Sequence, residues 1–380
     1  MNKLNTIQRW LYGMAVALVC TTASWSGTAA QQGCIPLKQG QSQPGMFRYG
    51  PDAPAPGRTV IDKPGHYCLS ENLRVEGHYW PVTPEGDKLF SDDELIVMLA
   101  ADDITLDFHG HSATSDAGLH AAVRTPHGAP GAVVPNNLPT IVPKNLTIKN
   151  GTIKVSRHGT AVEVFGLGPQ IALVNIVQDI TEKDRPQYQD DPKFLREMVE
   201  YENAELAKLR ATILPNAAAY PIRNLHIENM RLRSKDYAVV LQGAGSVIRD
   251  SVIETDSGTA LWLYGPNAVI ENNTIIVHCL AVETNHQGGS YCEDMDAPIR
   301  LMHGDGAVIR NNRFILRDRA HPRVLSVFDT GSFTFEGNTI TGLQDVNHAA
   351  KAFSGTLQLQ TVVPNRLDNS PTAWVKAWFE

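Results

Sequence analysis

Four side chains in this sequence have the types needed to remove a proton beside a carboxylate. His303 supplies an imidazole, Glu163 and Asp329 carboxylates, and Arg300 a fixed cation. That chemistry asks for a base of suitable pKa and a positive charge, or a metal, to hold the substrate's acid group. Glu163, Arg300 and His303 lie in a set of short apolar runs that end in Gly: "TAVEVFG" (160–166), "YAVVLQG" (237–243), "TALWLYG" (259–265) and "PIRLMHG" (298–304). The same runs carry Trp262, Tyr264, Gln242 and Phe165. Aromatic rings cover the C–H face of a sugar, and amides take its hydroxyls. Further basic candidates are Lys235, Arg317, Arg319 and Arg323; a further acidic one is Asp294.

These runs alternate with a second phrase. "NAVIENNTI" (267–275) returns as "GAVIRNNRF" (306–314), and weaker copies stand at 145–153, 224–232, 245–253 and 332–340. Anchored on Ile148, Ile227, Ile248, Ile270, Ile309 and Phe335, the copies turn apolar again five residues on. Degenerate copies are placed at Ile104 and Ile171. Alternation is period two, so the pieces are strands. Asn150, Asn229, Asn272 and Asn311, with Asp250, fall at one turn, where their tolerance of left-handed backbone accounts for them. A unit of three short strands cannot bury its own apolar face and must stack on its neighbours. The expected fold is all-β: a right-handed parallel β-helix of about eight coils, with an N-terminal cap and one inserted α-helix.

On these residues the chain resembles the pectin lyase-like superfamily over about residues 93–343. The resemblance implies the fold and leaves activity open. The catalytic sets of polygalacturonase-like hydrolases, pectate lyases and alginate epimerases are not present intact; "ETDSG" (254–258) and "MHGDG" (302–306) are faint echoes of the first.

With the repeat as a ruler, insertions stand out at 113–143, 181–220 and 280–296, with a shorter one at 317–323. The reading places them at one phase, along one edge of the helix. Residues 191–214 have helical patterning, with Asp191 as cap and Pro192 in the first turn. In the Gly-ending strands, Val162, Val164, Val239, Leu241, Leu261 and Leu263 are expected inward. Glu163, Phe165, Val240, Gln242, Trp262, Tyr264, Leu301, His303, Val327 and Asp329 are expected outward, as a sugar-binding strip beside the insertions; the alternative is that Trp262 and Tyr264 pack under the inserted helix. Arg300 is then a misfit, pointing inward. Asp236, Asp256 and Asp296 stand 12 to 14 residues before their anchors; the frequency of Asp in turns before strands is the first account of this row, and calcium binding the second.

The first 30 residues, with Lys3 and Arg9 before an apolar stretch and "GTAA" at the end, read as a cleaved secretory signal. No later stretch is long and apolar enough to span a bilayer. Residues 31–92 are expected to form the cap and first turns, and 344–380 a tail or cap. Beyond the leader four cysteines remain; proximity favours disulfides Cys34–Cys68 and Cys279–Cys292. The chain has 33 basic and 40 acidic residues and no basic patch, which points away from nucleic acid. The expected protein is periplasmic or secreted and carbohydrate-active, leaning to a polysaccharide lyase or epimerase on an acidic or envelope glycan. The alternative is a non-catalytic glycan- or partner-binding protein. Calcium is the candidate cofactor.

Overall fold

The repeated apolar anchors stack on one another. In the computed structural model, Ile148, Ile227, Ile248, Ile270, Ile309 and Phe335 are partners in successive parallel strand pairs. Five residues on, Ile153, Leu232, Ile253, Ile275, Phe314 and Ile340 form a second column. Both columns are buried in one continuous hydrophobic core. The structure describes residues 33–39, 59–75, 96–115, 121–125, 143–156, 159–164, 181–182, 189–218, 224–278, 297–317, 323–328, 330–352, 358–361 and 363–370. Residues 36–380 form one compact unit; of residues 1–35, three are described.

That unit is a parallel β-helix with two sheets. A 17-stranded sheet carries the Asn-turn phrases, and a 9-stranded sheet carries the Gly-ending runs, so nine rungs are stacked. The 9-stranded sheet comprises Thr59–Ile61, Val97–Leu99, Ala121–Arg124, Thr160–Val164, Val239–Gln242, Leu261–Tyr264, Ile299–Met302, Leu325–Phe328 and Ala350–Ala352. The helical pattern continues past the expected end at residue 343. Ala350–Ala352, Gln358–Gln360 and Arg366–Leu367 pair in register with the preceding rungs.

Turn chemistry sets the register. Asn150, Asn229, Asp250, Asn272 and Asn311 have φ between 51° and 61°, the left-handed region that Asn and Asp tolerate. The residue that follows builds a buried ladder. Asn273 N–H donates to Asn312 Oδ1 (3.0 Å) and Asn312 N–H to Asn338 Oδ1 (2.9 Å), while Asn312 Nδ2 donates to Ile270 O (2.8 Å).

Leu146–Val155 pairs directly with Leu225–Ser234, and Thr160–Val164 with Val239–Gln242; the copy read at Ile171 lies outside the described residues. One placement differs from the sequence reading. In the first copy Leu106, not Ile104, aligns with Ile148.

It follows that the long insertions do not share one phase. Residues 126–142 and the segment from 165 to 223 follow strands of the 9-stranded sheet, whereas 76–95, 279–296 and 318–322 precede them. The longest insertions thus join both ends of this sheet's strands. The inserted helix runs Pro192–Ala218, with Asp191 Oδ1 accepting from Phe194 N–H (3.0 Å). Leu195 is buried and Phe194 exposed.

Candidate functional site

The outer face of the 9-stranded sheet is built from one position per rung. Register runs Met98, Arg124, Glu163, Val240, Trp262, Arg300, Ser326 and Lys351. Because side chains alternate along a strand, the neighbours Val162, Val239, Leu261, Ile299 and Leu325 fill the core and this row faces away from it. A second outward row is Gln242, Tyr264, Met302 and Phe328.

The register of the last two strands corrects the sequence reading. Arg300 and Met302 face out and Leu301 in; Phe328 faces out and Val327 in. The misreading came from counting back from Gly304. Tyr264 aligns with Met302, so His303, at φ 50°, stands where Gly265 stands one rung earlier. His303 is a turn residue beyond the strand, with its N–H donating to Phe328 O (3.0 Å).

The face is closed rather than open. Trp262 is 3% exposed, Tyr264 2%, Gln242 3%, Glu163 4% and Arg300 4%. Tyr264 stacks on Trp262 at 5.6 Å between centroids, and Tyr237 meets it edge-on at 5.3 Å. The Arg300 guanidinium lies over the Trp262 ring, 4.9 Å from its centroid, a geometry that attracts a cation to the ring's negative face. Arg323, at the entrance to Leu325–Phe328, is also buried. Among described residues this region gathers three buried guanidinium groups and one buried carboxylate. Trp262 Nε1 and Ser326 Oγ are buried and make no hydrogen bond among the described residues.

A second cluster stands where chain passes from the 17-stranded sheet toward this face. Arg233 NH1 contacts Glu254 Oε1, and Arg233 NH2 lies 2.6 Å from Asp256 Oδ1. His278 Nε2 lies 2.7 Å from Glu254 Oε1 and 3.3 Å from Arg233 NH1. Burial pushes the Glu254 carboxyl up. The hydrogen bond from His278 and the charges of Arg233, His278 and Arg317 outweigh it, holding the carboxyl below its ordinary value. Sequence reading named Asp256 and Arg317 but missed Arg233, Glu254 and His278. A signal was available: Lys235, Asp256, His278 and Arg317 each stand eight residues past their anchor.

Two of the three proposed calcium ligands have protein partners. Asp256 is paired with Arg233, whereas Asp236 Oδ2 accepts Gly159 N–H (2.7 Å). Among the described residues neither belongs to a group of three or more ligands within reach of one ion. No step is assigned to calcium. Asp296, Asp329, Phe165, Cys279 and Cys292 lie outside the described residues, as does the N-terminal leader. Cys34 and Cys68 are disulfide-bonded. No helix among the described residues is long and apolar enough to cross a membrane.

Among curated proteins and solved structures, nothing matches the chain. Residues 213–374 match the family described as "Right handed beta helix region". With the parallel sheets and stacked Asn turns, that match fits a right-handed parallel β-helix.

Proposed function

We propose that this chain is an exported carbohydrate-active protein that engages an acidic polysaccharide on the outer face of its 9-stranded sheet and acts on it as a lyase or epimerase. One observation carries the reading: Arg124, Glu163, Trp262, Arg300 and Ser326 form a buried row that faces away from the core. Charged groups withdrawn from water cost several kcal/mol each unless partners replace the solvent, and a scaffold core has no need of them. An anionic, hydroxyl-rich ligand fits the row's chemistry. Its carboxylate suits guanidinium groups, which bind such anions in fork geometry. Its ring C–H face suits Trp262, and its hydroxyls suit the indole N–H and the Ser326 hydroxyl.

The test is calorimetric binding and ultraviolet detection of unsaturated products across a panel of polyuronates and neutral glucans, with and without calcium. Binding is expected for polyuronates and not glucans. Losing one charge-assisted contact in Arg300→Met should weaken it by about tenfold to a hundredfold. Equal binding of neutral glucans, or no polyuronate binding, overturns the reading. Binding with neither elimination nor epimerisation leaves a glycan-binding protein and removes the enzyme.

A further inference from the structure

We propose that His278 is the proton-transfer residue of this site, positioned by Glu254; this rests on the reading that the substrate is an acidic glycan. The argument begins from the ring. With Nε2–H donating to Glu254 Oε1 at 2.7 Å, the neutral imidazole presents Nδ1 as its proton acceptor. An imidazole oriented by a carboxylate is a recurrent arrangement for general base work. Glu254 is itself held ionised by Arg233, which also holds Asp256. The orienting group is thereby fixed on both sides.

Location supports the same role. His278 immediately precedes the 279–296 insertion, and its side chain is 15% exposed, accessible but not loose. Asp256 opens the short turn that leads to Leu261–Tyr264, so the cluster stands at the entry to the strand bearing Trp262. Elsewhere on the 17-stranded sheet Asp107 also faces an imidazole and a cation, His66 and Lys149, each at 3.7 Å, but the His66 side chain is 43% exposed. At His278 the imidazole–carboxylate contact is 2.7 Å, and the strand register places Arg317 on the next rung beside it.

The step balances without an oxidant. His278 Nδ1 takes the proton from the carbon that bears the uronate carboxylate. The C–H electron pair becomes the new C=C bond as the C–O bond to the neighbouring sugar breaks. The departing oxygen takes a proton from water, and the imidazolium later returns its proton to solvent. The guanidinium groups offset the charge that builds on the carboxylate during proton removal.

The experiment compares wild type, His278→Asn, His278→Gly, Glu254→Gln and Arg310→Ala, the last as an ion-pair control elsewhere on the 17-stranded sheet. Polyuronate binding, unsaturated-product formation and thermal unfolding are measured for each. His278→Asn should lower kcat by about a hundredfold to ten-thousandfold while leaving polyuronate affinity within about twofold. Added imidazole should restore part of the rate in His278→Gly, a rescue that a structural role does not provide. Glu254→Gln should lower kcat more than it changes KM. Retained activity in folded His278→Asn, or no rescue in folded His278→Gly, overturns the assignment of His278 and leaves the acidic-glycan reading standing. Polyuronate binding without any product in wild type overturns the assignment while the glycan surface stands. Absence of polyuronate binding in wild type overturns the glycan reading and the assignment together.

Discussion

The two sheets share one core but spend their outer positions differently. On the 17-stranded sheet, outward Glu228, Arg249, Glu271 and Arg310 stand in register and pair across rungs near solvent. Its turns are short and built on Asn. On the 9-stranded sheet the outward positions are Arg, Glu, Trp and Ser, nearly all withdrawn from solvent, and the longest insertions join its strand ends. The repeat therefore explains the first surface completely. The second departs from what a scaffold needs, and that departure marks the candidate site.

The largest expected contrast sets a core ring against a buried charge. Phe314 is fully buried and packs on Phe335 with centroids 6.3 Å apart. Phe314→Ala removes that packing and leaves a cavity, so it should cost about 3–5 kcal/mol in denaturant unfolding. Arg300→Met keeps much of the side-chain volume and removes a buried charge. It gives up the contact with the Trp262 ring, so it should cost about 0.5–2 kcal/mol while weakening polyuronate binding. A loss of stability in Arg300→Met as large as in Phe314→Ala would make Arg300 a structural member of the rod and erase the distinction between the sheets.

The same contrast explains what the sequence disclosed. Every β-helix phrase with a left-handed Asn or Asp after its anchor proved to be a rung, because that turn and the apolar alternation act locally. The outer strip was legible as a set of side chains but not in register at 298–304 and 324–330, since His303 takes a position that Gly fills in other rungs. Its burial was not legible, because exposure depends on chain from distant positions. The Glu254–His278 contact joins residues on neighbouring rungs, 24 positions apart; only the stacking of rungs makes them neighbours.

Within the 17-stranded sheet, the turn should divide into a costly and a cheap position. Asn312→Ala removes the acceptor of Asn273 N–H and the donor to Ile270 O, both buried. Stranding those groups should cost about 1–3 kcal/mol. Asn311 only has to hold a φ of 56°, so Asn311→Gly should be close to neutral. Chemical denaturation of the two variants decides it. Equal costs would show that the ladder bonds, and not backbone conformation alone, are irrelevant to the register.

Acid should act on the edge cluster through Glu254. Glu254 is lowered in the folded chain, so folding binds fewer protons at this group than unfolding does. Its stabilisation is present above the unfolded value, about 4.3, and is lost as pH falls through the lower folded one. Glu254→Gln should be less stable than wild type at neutral pH and lose less on acidification. Parallel stability profiles for the two proteins down to about pH 3 would remove Glu254 from the acid response.

The smallest effect is expected where the sequence rule is most obeyed. Arg310 sends Nε and NH2 to the same oxygen of Glu271, at 2.9 and 2.7 Å, and its side chain is 47% exposed. Water and salt compete for both partners, and fixing two long side chains costs entropy. Exposed pairs of this kind contribute about 0–1 kcal/mol. Arg310→Ala should therefore shift stability by no more than that, the shift should shrink at high salt, and polyuronate binding should stay as in wild type. A glycan-binding defect in Arg310→Ala would move the site to the 17-stranded sheet, because Arg310 and Arg300 lie on different sheets and share no described contact.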